Sequence, residues 1–349
     1  MGAMHALRDT GIALGLLGLL LVSYFRFRLR RLRNLDWLLG AGLSLALLVL
    51  GLYPNLLDSL LAFFTFEKGG GGRLLGLLIF SNLLLYVLFY AALSRTSHVE
   101  QLADRLVREL AKREFRQKHG PDDARIYVII PAYNEAENIA SVLTAIPGEV
   151  AGLKTKAIVV IDGATDETAK VVDELNHKAI SYTVNRGGGS ALRAGYEVAL
   201  EDDADIIVTL DADGQHLPEE IPRLVLPIVN GEADLVNGSR VLGHYEKDSA
   251  VRASGVVLFN WMISVLAMKR ITDCSNAFRA IRASELRKLS LRQSQFHTSE
   301  LLLEALKKGL RVLEVPITVK RRLSGESKKP TSLKYGWGFT KAIVTTWLR

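Results

Sequence analysis

Ile206-Ile207-Val208-Thr209-Leu210-Asp211-Ala212-Asp213 is the stretch on which the fold turns. Its first five residues are apolar or β-branched and read as a short buried strand. Two carboxylates one residue apart at the strand exit repel each other, and a divalent cation removes that cost. Alternation along an extended chain points both side chains the same way, as two ligands of one ion require. Carboxylate oxygens suit Mg²⁺ or Mn²⁺, ions that commonly hold diphosphates. Open α/β sheets also bind ligands at strand exits. The competing reading is plain capping of the helix that begins near Pro218.

Working outward, strands and helices alternate from Arg125 onward. Candidate strands are Ile126–Ile130, Ala157–Ile161, Ile180–Val184, Ile206–Leu210 and Asp234–Asn237. Helical patterns fall near Glu135–Ala145, Asp166–Asn176, Ser190–Leu200 and Glu219–Val229. This alternation predicts an α/β domain with a mostly parallel sheet and helices on both faces. Further on, helices are expected near Val251–Ala267 and Ser299–Lys308, and a strand near Val312–Val319.

The N-terminal third is different. Thr10–Phe25, Trp37–Leu57 and Leu74–Ser94 carry no charge and are rich in Leu. The latter two reach the roughly 20 residues that cross a bilayer core. Arg26, Arg28, Arg30, Arg31 and Arg33 follow the first stretch and mark a cytoplasmic loop. The expectation is an all-α transmembrane module over residues 1–97, with helices near 10–25, 37–57 and 74–94. Its N-terminus would lie outside and the catalytic domain, residues 125–349, in the cytoplasm. A homo-oligomer through the membrane helices stays open.

Between the two regions, over residues 98–120, Val99, Leu102, Leu106 and Leu110 recur at helical spacing among Arg105, Arg108, Glu109, Lys112 and Arg113. An amphipathic juxtamembrane helix follows, either on the leaflet or packed on the catalytic domain. Gly120-Pro121-Asp122-Asp123 ends it. The single cysteine, Cys274, excludes an intrachain disulfide. A net charge of +7 points to an anionic partner, and the apolar stretches favour anionic lipid and phosphorylated substrates over nucleic acid.

The strand exits carry an ordered set of motifs. Pro131-Ala132-Tyr133-Asn134-Glu135 follows the first strand and Asp162-Gly163-Ala164-Thr165-Asp166 the second. Asn185-Arg186-Gly187-Gly188-Gly189 follows the third, Asp211-Ala212-Asp213-Gly214-Gln215-His216 the fourth and Gly238-Ser239-Arg240 the fifth. Near the end come Glu314-Val315-Pro316-Ile317, Arg321-Arg322 and Gly325-Glu326-Ser327-Lys328. From Arg125 onward this resembles the inverting family-two glycosyltransferases with a nucleotide-diphospho-sugar transferase (GT-A type) fold, and within them the dolichyl- and polyprenyl-phosphate mannose or glucose synthases. Three positions depart from the family pattern: Ile161 where an Asp is frequent, Ala164 for a usual Ser, and Asn276-Ala277-Phe278 for Ser-Gly-Phe.

The resemblance implies roles residue by residue. Pro131, Tyr133, Glu135, Asp162, Arg186, Gly187 and Asp211 would contact the nucleotide sugar. Asp211, Asp213 and Gln215 would hold Mg²⁺ or Mn²⁺, and Asp211, Asp213, Arg240 and Arg322 would carry catalysis. Arg240, Arg322, Ser327 and Lys328 would receive the acceptor phosphate, with Arg suited to bidentate contact. The Gly187–Gly189 run permits close backbone approach to a ligand. Arg193 reads either as a diphosphate contact or as a solvated side chain. His216 reads as a structural or substrate-contact residue, and Glu300 as an orienting carboxylate.

The expected function is transfer of one sugar from a nucleotide diphosphate sugar (GDP-mannose, UDP-glucose or a UDP-N-acetylhexosamine) to polyprenyl phosphate. Such an acceptor is already ionised near neutral pH, since its second pKa is about 6, so no strong general base is required. The rivals are a polysaccharide synthase, whose usual Gln-x-x-Arg-Trp is missing, and a silent nucleotide-sugar-binding membrane scaffold.

Overall fold

The computed structural model describes residues 2–23, 34–53, 70–246, 250–322 and 333–348. The chain separates after His98 into two compact units.

The first unit holds α1 (Gly2–Ser23), α2 (Asn34–Leu52) and the start of α3 (Gly70–Lys118). Helices α1 and α2 pack closely. A Cβ on Gly15 would stand 2.7 Å from the Leu48 backbone nitrogen, so only glycine admits this approach. Ser44 is buried against Gly18, one turn along, and donates to the Gly40 carbonyl at 2.8 Å. Leu14, Leu17, Leu20 and Leu45 are exposed. Among the described residues no helix is long and apolar enough to cross a membrane. The arginine cluster Arg26–Arg33 lies outside the described residues, as do parts of the first and second expected spans.

The second unit follows the predicted alternation. Its elements are β1 (Ile126–Ala132), α4 (Ile139–Thr144), β2 (Glu149–Val150), β3 (Leu153–Asp162), α5 (Thr168–Glu174), β4 (Lys178–Tyr182), α6 (Gly188–Glu201) and β5 (Ile206–Thr209). Then come α7 (Ile221–Val229), β6 (Leu235–Tyr245), α8 (Ala250–Ala267), β7 (Arg279–Arg282), α9 (Ala283–Leu286), α10 (His297–Lys307), β8 (Val312–Val319) and α11 (Leu333–Leu348). One eight-stranded sheet runs β2-β3-β1-β5-β7-β6-β8, with β4 also on β3.

The sheet is more mixed than the sequence suggested. β3–β4, β1–β3, β1–β5 and β6–β8 are parallel. β7 inserts antiparallel between β5 and β6, and β2 pairs antiparallel with β3. Periodicity misses β7 because two of its four residues are arginines, and Arg279 is a fully buried one.

Alternation along β1 sorts the core into two layers. Tyr127 and Ile129 face one layer with α6, α10 and α11. Ile126, Val128 and Ile130 face the other with α4 and α7. Helices on both faces therefore hold, as expected for buried parallel strands.

Residues 99–118 of α3 pack on the domain, one of the two alternatives the sequence left open, and do so through their charged side. Arg108 pairs with Glu197 at 2.9 Å, Lys112 with Glu197 at 2.9 Å and Glu201 at 2.8 Å, and Arg116 with Asp202 at 2.7 Å. Ala111 and Phe115 enter the core between them. The stripe Val99, Leu102, Leu106 and Leu110 faces outward, each more than half exposed.

Candidate active site

Strand exits bring the predicted residues to one edge of the sheet. β1 and β3 end on loops that lock together. The Glu135 amide donates to Thr168 Oγ1 at 2.9 Å, the Ala136 amide to Asp166 Oδ2 at 3.1 Å and the Thr165 amide to Asn134 Oδ1 at 2.8 Å. Asn134 takes φ +53°, a left-handed turn that Asn tolerates. Glu135 is thereby buried, while Tyr133 stays 37% exposed beside half-buried Pro131.

Three predicted groups from distant positions meet here. Arg322 Nη2 is paired with Glu135 Oε1, and the same nitrogen lies 3.9 Å from Asp213 Oδ2. Glu135 Oε2 accepts from Asn138 at 2.8 Å. The structure thus brings together Glu135, Asp213 and Arg322, which lie in three separate motifs of the sequence. Gln215 secures the arrangement. Its Nε2 donates to the Lys320 carbonyl at 3.1 Å, and its own carbonyl accepts from the Lys320 amide at 2.8 Å. Arg322 follows two residues later.

Asp211 and Asp213 flank buried Ala212 at the β5 exit. Burial and then the neighbouring Asp211 push the Asp213 carboxyl above its ordinary pKa, against the pull of His216 and Arg322. This is electrostatic stress that a hard cation relieves. Among the described residues no group of three or more His, Cys, Asp or Glu gathers as a metal site. The motif-named residues Asp211, Asp213 and Gln215 would offer two carboxylates and an amide oxygen, the Gln215 nitrogen being engaged. Such an oxygen set fits Mg²⁺ or Mn²⁺ sharing its remaining positions with phosphate and water.

Arg240 does not stand alone as an open acceptor cation. It forks onto Asp273, Nε to Oδ2 at 2.7 Å and Nη2 to Oδ1 at 3.0 Å, and Nη2 also reaches Ser275 at 2.7 Å. Burial alone would lower its pKa, yet Asp273 holds it above the ordinary arginine value. Asp273 is fully buried. Glu314 accepts from the Thr272 amide at 2.8 Å, and Asn260 of α8 accepts from the Cys274 amide at 2.9 Å. Helix α8 thus carries the loop that grips Arg240.

Other expectations land differently. Asp162 accepts the backbone amides of Arg186 at 2.6 Å and Gly187 at 2.7 Å, and burial raises its pKa despite them. The Arg186 side chain turns to α3 and donates to the Glu100 carbonyl at 3.1 Å. Arg193 is neither a diphosphate contact nor a solvated side chain: it bonds Gln293 O at 2.7 Å and Asp104 at 3.1 Å. The close approach at the glycine run is to protein, since a Cβ on Gly189 would stand 2.1 Å from Gln293 O. Glu300 organises that facing loop, accepting from the Arg292 and Gln293 amides at 2.9 Å each. His216 pairs with Asn276 at 2.7 Å. Ser327 and Lys328 lie outside the described residues. The residues that sequence reading missed are Asp273 and Asp104. Neither sits in a motif at a strand exit, so only their partners reveal them.

Residues 127–290 match the family model described as Glycosyl transferase family 2. The UDP-N-acetylglucosamine–dolichyl-phosphate N-acetylglucosaminyltransferase of Methanococcus voltae is 35% identical over 56% of this chain and 85% of that protein. The polyprenol monophosphomannose synthase of Mycolicibacterium smegmatis is 33% identical over 62% and 87%. The dolichol-phosphate mannosyltransferase of Pyrococcus furiosus is 34% identical over 58% and 59%. The chain belongs to glycosyl transferase family 2. Among solved structures it is similar to glucosyl-3-phosphoglycerate synthase from Mycobacterium tuberculosis with Mn²⁺ and UDP-glucose. The TM-score is 0.51 at 24% identity, over 64% of this chain and 78% of that one. The same enzyme with Mg²⁺ and UDP gives 0.50 at 23%. These likenesses establish the shared GT-A-like α/β fold.

Proposed function

We propose that this enzyme moves one sugar from a nucleotide diphosphate sugar to a polyprenyl phosphate at a membrane surface. The observation that carries the reading is the meeting of Glu135, Asp213 and Arg322 at the sheet edge. It would bring donor, cation and acceptor functions within reach of one another. The relatives named for dolichyl or polyprenyl phosphate support the same acceptor.

Tyr133, Pro131 and Asp162 would line the nucleotide. Asp211, Asp213 and the Gln215 oxygen would hold Mg²⁺ or Mn²⁺, which supplies Lewis-acid neutralisation of the departing diphosphate. Arg240 carries no protein hydrogen bond on Nη1 among the described residues, leaving that edge for the acceptor phosphate. Arg322 would deliver a second positive charge. An acceptor phosphate oxygen would attack the anomeric carbon in line, the bond to the nucleoside diphosphate breaking as the new bond forms, with inversion. The proton balance needs no base, because the phosphate is already ionised. Ser327 and Lys328 remain assigned to the acceptor phosphate on the motif alone.

We place the active site at the cytoplasmic leaflet, with residues 1–97 as an integral membrane anchor whose N-terminus is outside. The uninterrupted apolar stretches and the Arg26–Arg33 cluster support this topology. An apolar face of α8 adds support: Val257, Leu258, Trp261 and Val265 are exposed, and Met268, just past the helix end, is exposed at 93%. Lys269 and Arg270 follow, and residues 250–270 contain no carboxylate. The outward stripe of α3 offers a second apolar contact for the same leaflet. Proximity of this kind raises the effective concentration of an acceptor confined to the bilayer.

The deciding experiment incubates purified protein and Mn²⁺ with polyprenyl phosphate and a panel of radiolabelled sugar nucleotides, then extracts into organic solvent. One lipid-linked monosaccharide is expected. Longer chains would indicate a polysaccharide synthase, and donor binding without turnover a silent scaffold.

A further inference from the structure

The strongest unassigned cluster is ionic and lies where α3 meets α6. Asp104, on α3, faces three guanidinium groups. Arg108 of its own helix donates to Oδ2 at 2.7 Å and Arg193 of α6 at 3.1 Å, while Arg186 Nε stands 4.0 Å from Oδ1. Arg186 Nε is buried with no hydrogen-bond partner among the described residues, so Asp104 is its nearest counter-charge. Burial would raise the Asp104 carboxyl's pKa. The Ser190 hydrogen bond and the Arg193 and Arg108 charges hold it below the ordinary value.

Two of these arginines, Arg186 and Arg193, lead to the donor-side loop. Arg186 sends its backbone amide to Asp162, as does Gly187. Arg193 grips Gln293 O, and the Gly189 amide donates to Ser294 O at 2.9 Å. One carboxylate on α3 therefore anchors both borders of the loop 185–190 whose amides fix Asp162. The matched family region begins only at residue 127, so this contact comes from a part of the chain outside it.

We propose that Asp104 is a positioning residue that holds loop 185–190, and through it Asp162, in the shape that receives the nucleotide. The proposal rests on the nucleotide pocket assigned above. Replacing the carboxylate leaves three guanidinium groups facing one another. Arg186 then turns toward solvent and its backbone amide leaves Asp162.

The test compares full-length Asp104→Asn, Asp104→Glu and Glu197→Gln with wild type. Glu197→Gln breaks the neighbouring Arg108 and Lys112 pairs without touching the loop. Hydrogen exchange is read first, with no substrate present. Asp104→Asn is expected to speed exchange at the Arg186, Gly187 and Gly189 amides at least tenfold, Glu197→Gln to leave them unchanged, and Asp104→Glu to restore them in part. Nucleoside diphosphate binding and kinetics follow. Asp104→Asn should raise Kd and donor KM five- to tenfold with kcat within twofold of wild type. Unchanged loop exchange, or an increase spread evenly over the domain with only a lower Tm, would overturn the proposal. If wild type binds no nucleoside diphosphate, the functional reading fails while the exchange result still judges the role of Asp104.

Discussion

Asp273→Asn isolates the Arg240 clamp. The substitution keeps the shape and one acceptor oxygen but removes the charge from a fully buried position. Asp273 accepts from Arg240 Nε at 2.7 Å, from Nη2 at 3.0 Å and from the Arg240 backbone at 3.2 Å. Losing one partner of such a buried pair costs about 3–5 kcal/mol. The retained amide oxygen places this case near the lower end, about 3 kcal/mol. In a domain of this size each kcal/mol lowers Tm by roughly 2–4 °C, so Tm should fall by about 6–12 °C. Arg240→Met should cost a similar amount, because it strands the Asp273 carboxylate. The double variant should be little worse than either single one, a coupling of about 2–3 kcal/mol. Thermal and urea unfolding in detergent measure all four proteins. If the two single effects add to within about 0.5 kcal/mol, the pair is not an energetic unit. Arg240 would then owe its orientation to Ser275 or to the Tyr245 ring, 5.5 Å from its guanidinium carbon.

Glu135→Gln should raise the Mn²⁺ concentration for half-saturation about tenfold, because Arg322 loses its carboxylate partner and moves from 3.9 Å toward Asp213; calorimetric Mn²⁺ titration checks this, and an unchanged affinity would sever Arg322 from the cation cradle. Gly189→Ala should destabilise by about 1–3 kcal/mol, read as a lower urea midpoint, since the new methyl meets Gln293 O. Asp122 bonds Lys156 at 2.6 Å and Lys178 at 3.0 Å; burial would raise its pKa, but those bonds take it well below the ordinary carboxylate range. Its stabilisation is complete above about pH 4 and disappears as pH falls through the lowered folded pKa. The stability gap between wild type and Asp122→Asn should therefore narrow with acidification below about pH 4, and a constant gap in pH-dependent urea melts would remove Asp122 from the acid response.

The parallel half of the sheet was legible because its strands are short runs of Ile and Val bounded by turn residues. Ile126–Ala132, Leu153–Asp162 and Ile206–Thr209 differ from the expected strands by one or two residues at their ends and, for β3, by a start four residues earlier. The antiparallel strand β7 was not legible, since a buried arginine in a four-residue strand opposes every hydrophobic pattern. Asp213, Glu135 and Arg322 were all named from motifs, but the direct pairing of Glu135 with Arg322 was not. Glu135 and Arg322 are 187 residues apart, and no local period reports such a contact. The amphipathic helix shows a different limit. Val99, Leu102, Leu106 and Leu110 read as one apolar face, for the leaflet or for the domain, and the complementary acids Glu197, Glu201 and Asp202 on and beside α6 hold the charged face on the domain. Sequence pattern identifies which faces of a helix differ. It does not identify the surface that each face will find.

The altered motif Asn276-Ala277-Phe278 gains a physical meaning from this geometry. Asn276 Oδ1 pairs with His216 Nε2 at 2.7 Å, and its Nδ2 donates to Gly238 O at 2.6 Å. His216 ends the loop that carries Asp211 and Asp213, and Gly238 precedes Arg240 by two residues. A serine at 276 has one hydroxyl and too short a reach to span both partners, whereas the amide supplies a donor and an acceptor at opposite edges. Transfer requires the departing diphosphate and the arriving phosphate to be held in line to within a fraction of an ångström. Asn276 ties the loop after β5 to β6 through two buried bonds, and β7 runs on from it between those two strands. The antiparallel insertion that interrupts the parallel sheet thus joins the strand that leads to Asp211 and Asp213 to the strand that carries Arg240.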